Sequence, residues 1–334
     1  MKKWRMGILG ASDIAYKRFL PALQKSSQFL FAGIASREPA RCKPFLEQYG
    51  GQCYPDYQAL LCAPEIDCVY LPLPPALHAY WGERVLREGK HLLMEKPFTT
   101  TSRDTQYLLE LSQKFQLAVH ENYTFLFHRQ LKKVQELISN GTLGELRMIR
   151  ASFTFPFRGA EDFRYQKELG GGALLDCGGY PLLLASKLLG SSAKLMWSNL
   201  SQRPECEIET GGSAVLMNST GLTAHVFFGM NDTYRCELEV WGSKASVTAD
   251  RIFTAPPNLP LAFHLKEHDG VQEIQVEDDN QFLNSIQYFA QLIDFPALRE
   301  GQREKIFLQS TLIEQIQRQS TRNGEDIYPW EKLM

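Results

Sequence analysis

Between Trp4 and about Asn122, short apolar runs alternate with segments of helical period, the pattern of a parallel sheet built from βαβ units. Met6-Gly7-Ile8-Leu9 predicts a buried strand, a helix follows from about Asp13 to Lys25, and Leu30 to Ala35 predicts the next strand. Pro39 suits the first turn of a helix running to about Tyr49. Cys68 to Leu71 and His91 to Met94 read as further strands, separated by a helix over roughly Leu77 to Glu88 that Gly89 is placed to end. A helix from about Ser102 to Phe115 precedes a strand at Leu117 to His120.

Past Asn122 the pattern changes to longer strand candidates without intervening helices. Leu146 to Phe155, Ala193 to Leu200, Gly212 to Met217, Thr223 to Phe228, Arg235 to Trp241 and Ala262 to Lys266 all suit a mostly antiparallel sheet. Helices are expected over about Leu131 to Ser139, from near Leu174, and over Gln281 to Leu292 and Glu304 to Gln317. The fold class is therefore α/β, with an N-terminal domain over 1–122 and an α+β domain over 123–334 carrying a large open sheet. Such a sheet has a face or edge to cover, so a homo-oligomer formed through it is expected.

Composition narrows the function classes. With 334 residues the chain has about two domains' worth of length. Its 36 basic and 38 acidic side chains leave a net charge of -2, which gives no field to hold nucleic acid or an anionic membrane. No apolar run is long enough to span a membrane and no signal-peptide core follows Met1-Lys2-Lys3-Trp4-Arg5, so a cytoplasmic location is expected. The seven cysteines include no CxxC pair, and the histidines show no ligand spacing; neither a disulfide framework nor a metal site is expected.

Gly7-Ile8-Leu9-Gly10-Ala11-Ser12-Asp13-Ile14-Ala15 sits where the first strand turns into the first helix, the context of a dinucleotide fingerprint. Gly10 takes the first glycine place of GxGxxG, Ser12 the second, and Ala15 the third, where alanine is permitted. Backbone amides at that helix start supply an anion site. Domain 1–122 thus reads as a Rossmann dinucleotide-binding domain. At the end of the second strand stand Ser36 and Arg37 instead of an acidic residue, with Arg41 one turn on. That charge favours NADP(H), while Glu38 keeps NAD(H) as the alternative. Leu71, Pro72 and Leu73 line the carboxyl edge of the sheet, His78 lies a few residues beyond, and Glu95, Lys96 and Asn122 complete the expected cofactor set.

Two motifs carry the chemistry. Glu95-Lys96-Pro97 follows a strand, and the proline disfavours α conformation at Lys96, holding the lysine toward the cleft. Gly170-Gly171-Gly172-Ala173-Leu174-Leu175-Asp176 runs into Cys177-Gly178-Gly179-Tyr180-Pro181, so that a helix presents Asp176 and Tyr180 one turn apart. The other reading of this stretch is a glycine-rich turn feeding an ordinary buried helix.

The fingerprint, Glu95-Lys96-Pro97 and the Gly170 to Pro181 stretch together resemble the Gfo/Idh/MocA oxidoreductases over nearly the whole chain. Many members of that family have histidine where this chain has Tyr180, and Asp176 matches the usual acid. Tyrosine there is similar to the glucose-fructose oxidoreductase, dihydrodiol dehydrogenase and nucleotide-sugar 3-ketoreductase branches. The likeness to the 3-ketoreductases rests on Val69 to Pro74, Glu121 to Leu126, Ala151 to Thr154, Phe163 to Gln166 and the glycine-rich stretch.

The resemblance implies a substrate held between the domains and hydride transfer between nicotinamide and a sugar carbon. Tyr180 is expected as proton donor, Lys96 as partner of the carbonyl, and Asp176 as an orienting group; the first two roles are interchangeable at this stage. Arg158, Arg164 and Tyr165 are candidates for the nucleotide part of a nucleotide-linked keto-deoxyhexose, with bracing of the active-site loop or contact with the cofactor as the other roles open to Arg164. A dehydrogenase of a free aldose or trans-dihydrodiol is the alternative enzyme. An NADP-binding sensor or co-repressor is the alternative outside catalysis.

Overall fold

The computed structural model describes residues 3–203, 205–257 and 259–323. Two compact units emerge: one holds the chain up to His128 together with Asp279–Thr311, the other holds Arg129–Ala255, Leu259–Asp278 and the chain from Leu312.

In the first unit, β1 (Trp4–Leu9), β2 (Phe29–Ala35), β3 (Gln52–Tyr54), β4 (Cys68–Leu71), β5 (His91–Met94) and β6 (Val119–Glu121) form one sheet in the order β3-β2-β1-β4-β5-β6. Every pairing in it is parallel. The order reverses direction between β1 and β4, and the carboxyl ends flanking that point are where open α/β sheets bind ligands. Helices α1 (Leu20–Gln24), α2 (Lys43–Tyr49), α3 (Tyr57–Cys62), α4 (His78–Arg87) and α5 (Ser102–Lys114) connect the strands. The strands read as continuous apolar runs because both faces are buried. Leu9, Val69, Leu71, Leu92 and Met94 pack on one side; Met6, Ile8, Ile34, Tyr70 and Leu93 pack on the other.

The second unit opens with α6 (Arg129–Ser139) and is built on a nine-stranded sheet in the order β14-β13-β12-β11-β7-β10-β9-β8-β15. Its strands are β7 (Leu146–Phe155), β8 (Lys194–Gln202), β9 (Glu209–Met217), β10 (Thr223–Met230), β11 (Arg235–Gly242), β12 (Ser246–Asp250), β13 (Leu261–Glu267), β14 (Gly270–Val276) and β15 (Thr321–Asn323). Helix α7 (Gly179–Leu189) packs against β7, β9 and β10. Strand alternation turns Ile149, Ala214, Val226 and Leu238 inward, and Trp197, Phe227 and Trp241 outward.

The chain then gives α8 (Gln281–Asp294) and α9 (Arg299–Gln319). The sequence reading places everything after 122 in the second domain, yet α8 buries Ile286, Phe289, Ala290 and Ile293 with Phe19, Phe29 and Tyr70 of the first unit. Its apolar stripe is legible in sequence, but which surface it covers is not.

Candidate active site

The first unit gathers its functional side chains at the carboxyl edge of the parallel sheet. The Gly10 N–H bonds Ala35 O at 2.9 Å, which ties the ends of β1 and β2 together. Gly10 has φ of 107°, and a Cβ there would stand 2.6 Å from Leu73 Cδ2, so the turn needs glycine for both conformation and space. Ser12 does not simply await phosphate: its Oγ accepts the Ala15 N–H at 3.3 Å and caps the helix start. The Asp13 side chain is 87% exposed and pairs with Lys17, leaving only its main chain to the anion site. Ile14 begins a π-wound segment, Ala15–Phe19, that leads into α1. Ser36 is buried and its Oγ accepts the Glu38 N–H at 3.3 Å, while Arg37 is exposed and Arg41 Nη2 donates to Ala11 O at 3.1 Å.

His78 and Asn122 are not edge residues. His78 is fully buried, with Nδ1 2.8 Å from Pro97 O and Nε2 2.7 Å from Leu73 O. Its ring sits between the two loops that flank the site, and burial lowers its pKa, so the neutral ring donates to one of the two carbonyls. Asn122 is buried beneath Glu95: its Nδ2 donates to Glu95 Oε1 at 2.7 Å, and its Oδ1 accepts from Ser285 Oγ at 2.8 Å. Ser285 continues to His120 Nε2 at 2.9 Å. The polar atoms of His78 and Asn122 thus bond to neighbouring residues of the scaffold.

Glu95 also accepts from Tyr70 Oη at 2.6 Å, and burial raises its pKa against these bonds. Glu95, Lys96 and the cis Lys96–Pro97 peptide follow β5. A residue that sequence reasoning passed over, Glu121 at the end of β6, accepts the Phe98 N–H at 2.7 Å. It is buried, and desolvation pushes its carboxyl up to about 8, with the Phe98 amide and Lys96 opposing and Glu95 adding. Burial thus shifts both carboxyls upward, and Lys96 opposes the shift at each.

The second unit carries the glycine-rich helix start. Gly172 has φ of 123°, and a side chain there would collide with the Glu209 carboxylate. Glu209 is the second residue missed in sequence. From the start of β9 its Oε1 accepts the Leu174 N–H at 3.2 Å, satisfying a helix-start donor that no local side chain reaches. Leu174–Gly178 is π-wound and runs into α7, placing Asp176 in the wide turn and Tyr180 just beyond it. The half-buried Tyr180 ring stands edge-on to Phe153 at 5.1 Å and to Phe253 at 5.8 Å.

Arg164 Nε bonds Asp176 Oδ2 at 2.8 Å, and its Nη1 bonds Asp162 at 3.0 Å. Its charge is already compensated by two carboxylates, which makes it a brace for the helix start and a poor phosphate ligand. These pairs support the bracing role among those open to Arg164. Arg158 is exposed and lies over the Phe155 ring at 4.7 Å. Tyr165 donates to Asn231 Oδ1 at 2.9 Å and stacks edge-on to Phe157.

A nucleotide-binding parallel sheet in one unit and an open sheet bearing a tyrosine–aspartate helix in the other define a class. Residues 4–123 match the oxidoreductase family with NAD-binding Rossmann fold, and residues 131–248 match the GFO/IDH/MocA C-terminal domain. The chain belongs to the Gfo/Idh/MocA oxidoreductase family.

Within that family it is 38% identical over 289 residues to the dTDP-3,4-didehydro-2,6-dideoxy-alpha-D-glucose 3-reductase of Actinomadura kijaniata, covering 86% of this chain and 87% of that protein. It is 39% identical over 290 residues to the enzyme of the same name from Streptomyces violaceoruber, covering 86% and 85%. Among solved structures it is similar to KijD10, a 3-ketoreductase from Actinomadura kijaniata in complex with NADP and TDP-benzene. That match has a TM-score of 0.94 at 35% identity, covering 97% of this chain and all of that one.

Proposed function

We propose that this chain is an NADP(H)-dependent reductase of a nucleotide-linked keto-deoxyhexose. Residues 1–122 hold the cofactor, and 123–334 hold the substrate and the contacts of a homo-oligomer. One observation carries the reading: variants of KijD10 altered at a lysine and at a tyrosine have been solved, and those residues stand the same number of positions apart as Lys96 and Tyr180.

The residues of the first unit fit the cofactor. Gly10 lets backbone approach a pyrophosphate closely, and the amides of Ala11, Asp13 and Ile14 at the helix start are offered to the anion, the Ser12 N–H being bonded to Gly10 O at 3.0 Å. Ser36, Arg37 and Arg41 supply hydroxyl and positive charge for a 2′-phosphate, and no acidic side chain takes the place next to the ribose at 36–37. Leu71, Pro72, Leu73, Glu95 and Lys96 line the edge beyond it, with His78 and Asn122 as struts.

When bound, the nicotinamide supplies the hydride. Lys96 donates a hydrogen bond to the carbonyl oxygen and stabilises the charge that grows there. Tyr180, held by Phe153 and Phe253, gives the proton to that oxygen. Asp176, paired with Arg164, accepts from a substrate hydroxyl. Arg158 and Tyr165 take the nucleotide diphosphate and base.

The homo-oligomer rests on the outward face of the second sheet, where Trp197, Phe227 and Trp241 are each about half exposed. A cytoplasmic location rests on seven cysteines, all of them thiols.

The test is NADPH oxidation with a dTDP-linked keto-deoxyhexose. Tyr180→Phe should lower kcat by roughly a hundredfold while the Kd for NADPH stays unchanged. Unchanged kcat would remove Tyr180 from the mechanism, and no oxidation across a panel of keto sugars would favour the sensor reading.

A further inference from the structure

A buried line of hydrogen bonds ends at the residue before Lys96. Gln302 of α9 turns its Nε2 to His120 Nδ1 at 3.2 Å, and His120 Nε2 stands 2.9 Å from Ser285 Oγ. Ser285 Oγ donates to Asn122 Oδ1 at 2.8 Å, and Asn122 Nδ2 donates to Glu95 Oε1 at 2.7 Å. All four side chains behind Glu95 are buried, and two of them come from α8 and α9. Ser285 is a lone hydroxyl on the stripe of α8 that carries Ile286 and Phe289 inward.

The line has a direction. Burial pushes His120 down to about 3, so the ring is neutral at neutral pH and donates from one nitrogen only. The Gln302 amide nitrogen is a donor, which leaves Nδ1 to accept and puts the ring hydrogen on Nε2. Ser285 then accepts from His120 and turns its single hydrogen to Asn122, whose own N–H faces Glu95. Every link donates toward the carboxyl. At the far end the Tyr288 hydroxyl donates to Gln302 Oε1 at 3.3 Å and fixes the orientation of that amide.

At the near end Glu95 is met by donors: the Tyr70 hydroxyl from β4 at 2.6 Å, the Asn122 amide, and the main-chain N–H of Lys96. An ionised carboxylate accepts from all of them, whereas a protonated one needs an acceptor for its hydrogen. Asn122 supplies one only by turning over, and Ser285 holds it against that turn. The titratable groups facing Glu95 are Tyr70, Lys96 and Glu121; Lys96 favours the carboxylate, and Glu121 and Glu95 oppose each other's ionisation.

We propose that Ser285 is a positioning residue for the reduction: with His120 and Gln302 behind it, it locks Asn122 as a donor and keeps Glu95 a carboxylate that anchors the Glu95-Lys96 turn. The proposal rests on the assignment of Lys96 to the carbonyl given above. It extends the site's support into α8 and α9, which carry none of its motifs.

Two measurements test it. In wild-type protein labelled with 15N-histidine, with His120→Asn identifying the signals, the His120 ring should be neutral with its hydrogen on Nε2. A hydrogen on Nδ1 would reverse the line and overturn the proposal, whatever the enzyme reduces. The second measurement is the pH profile of kcat/KM for NADPH oxidation with a dTDP-linked keto-deoxyhexose, in wild type, Ser285→Ala and Lys96→Ala. Without the serine, Asn122 turns freely and accepts from a protonated Glu95, so the acid limb should move up by about half a pH unit, the size of one lost hydrogen bond. The Kd of NADPH should stay within about twofold. A merely loosened helix would lower kcat/KM by one factor at every pH and leave the limb in place, which would sink the proposal. If that happens while Lys96→Ala is inactive, the reductase reading stands and only the role of Ser285 falls. Lys96→Ala as active as wild type would remove the lysine assignment and this proposal together.

Discussion

Glu121 shows how a single side chain can couple the site to stability. Its carboxyl ordinarily titrates at 4.5 and is pushed up to about 8 in the fold, chiefly by desolvation. The unfolded chain releases this proton first, so between about 4.5 and about 8 the native state binds more protons than the unfolded one. Stability from this group is fully present below the lower value and is lost as pH rises through the upper one. Glutamine at this position keeps an acceptor for the Phe98 N–H but cannot ionise. Melting curves taken from pH 5 to pH 9 should show Tm falling less for Glu121→Gln than for wild type. Parallel Tm–pH curves would show that Glu121 does not titrate in that range. Glu95 is shifted in the same direction and interacts with Glu121, so the difference between the curves reports Glu121 together with its coupling to Glu95. None of this was legible in the run Glu121-Asn122-Tyr123, because the desolvation comes from strands and loops distant in sequence.

At the scale of elements, the two helices that begin at the proposed site share one irregularity. Ala15–Phe19 precedes α1 and Leu174–Gly178 precedes α7, and both are π-wound. A π turn carries one more residue per hydrogen-bonded ring than an α turn and widens the helix start, a feature common at functional sites. In α7 it sets where Asp176 and Tyr180 project, and Glu209 holds its first turn from across the sheet. Removing that carboxylate strips a partner from the Leu174 N–H and a negative charge from the helix start, worth about 1 kcal/mol. Glu209→Ala should therefore lower Tm by a few degrees and reduce kcat with little change in the Kd of NADPH. Glu209→Gln should recover most of the Tm. An unchanged Tm in the alanine variant would show that the contact contributes nothing to holding the helix.

For the whole molecule, the open face of the second sheet is the feature with the largest consequence. The register sets Trp197 beside Val215, Phe227 beside Ser152 and Ser213, and Trp241 beside Met148, making an apolar patch on the side away from α7. If a second copy covers it, Trp241→Glu should halve the mass seen by sedimentation at micromolar concentration, because an unpaired charge cannot be buried cheaply. A monomeric wild type would rule this out. Five strands of the parallel sheet, the fingerprint at Gly10 and the lysine after β5 were readable, since each depends on local periodicity or on the short-range chemistry of glycine and proline; the three-residue β3 was too short to show a period. The mostly antiparallel sheet was read in part: β12 and β15 escaped as too short, and β14 because Gly270–Val276 carries no buried face. The sequence by itself determined which residues bring chemistry and which segments can form strands or helices, because backbone preference and hydrophobic period act over a few neighbours. Only the tertiary structure decided that α8 packs into the first unit, that His78 and Asn122 bond into the scaffold, and that Glu121 meets the Phe98 amide and Glu209 the Leu174 amide. Those outcomes depend on which surfaces meet and lose water, and no local pattern encodes that.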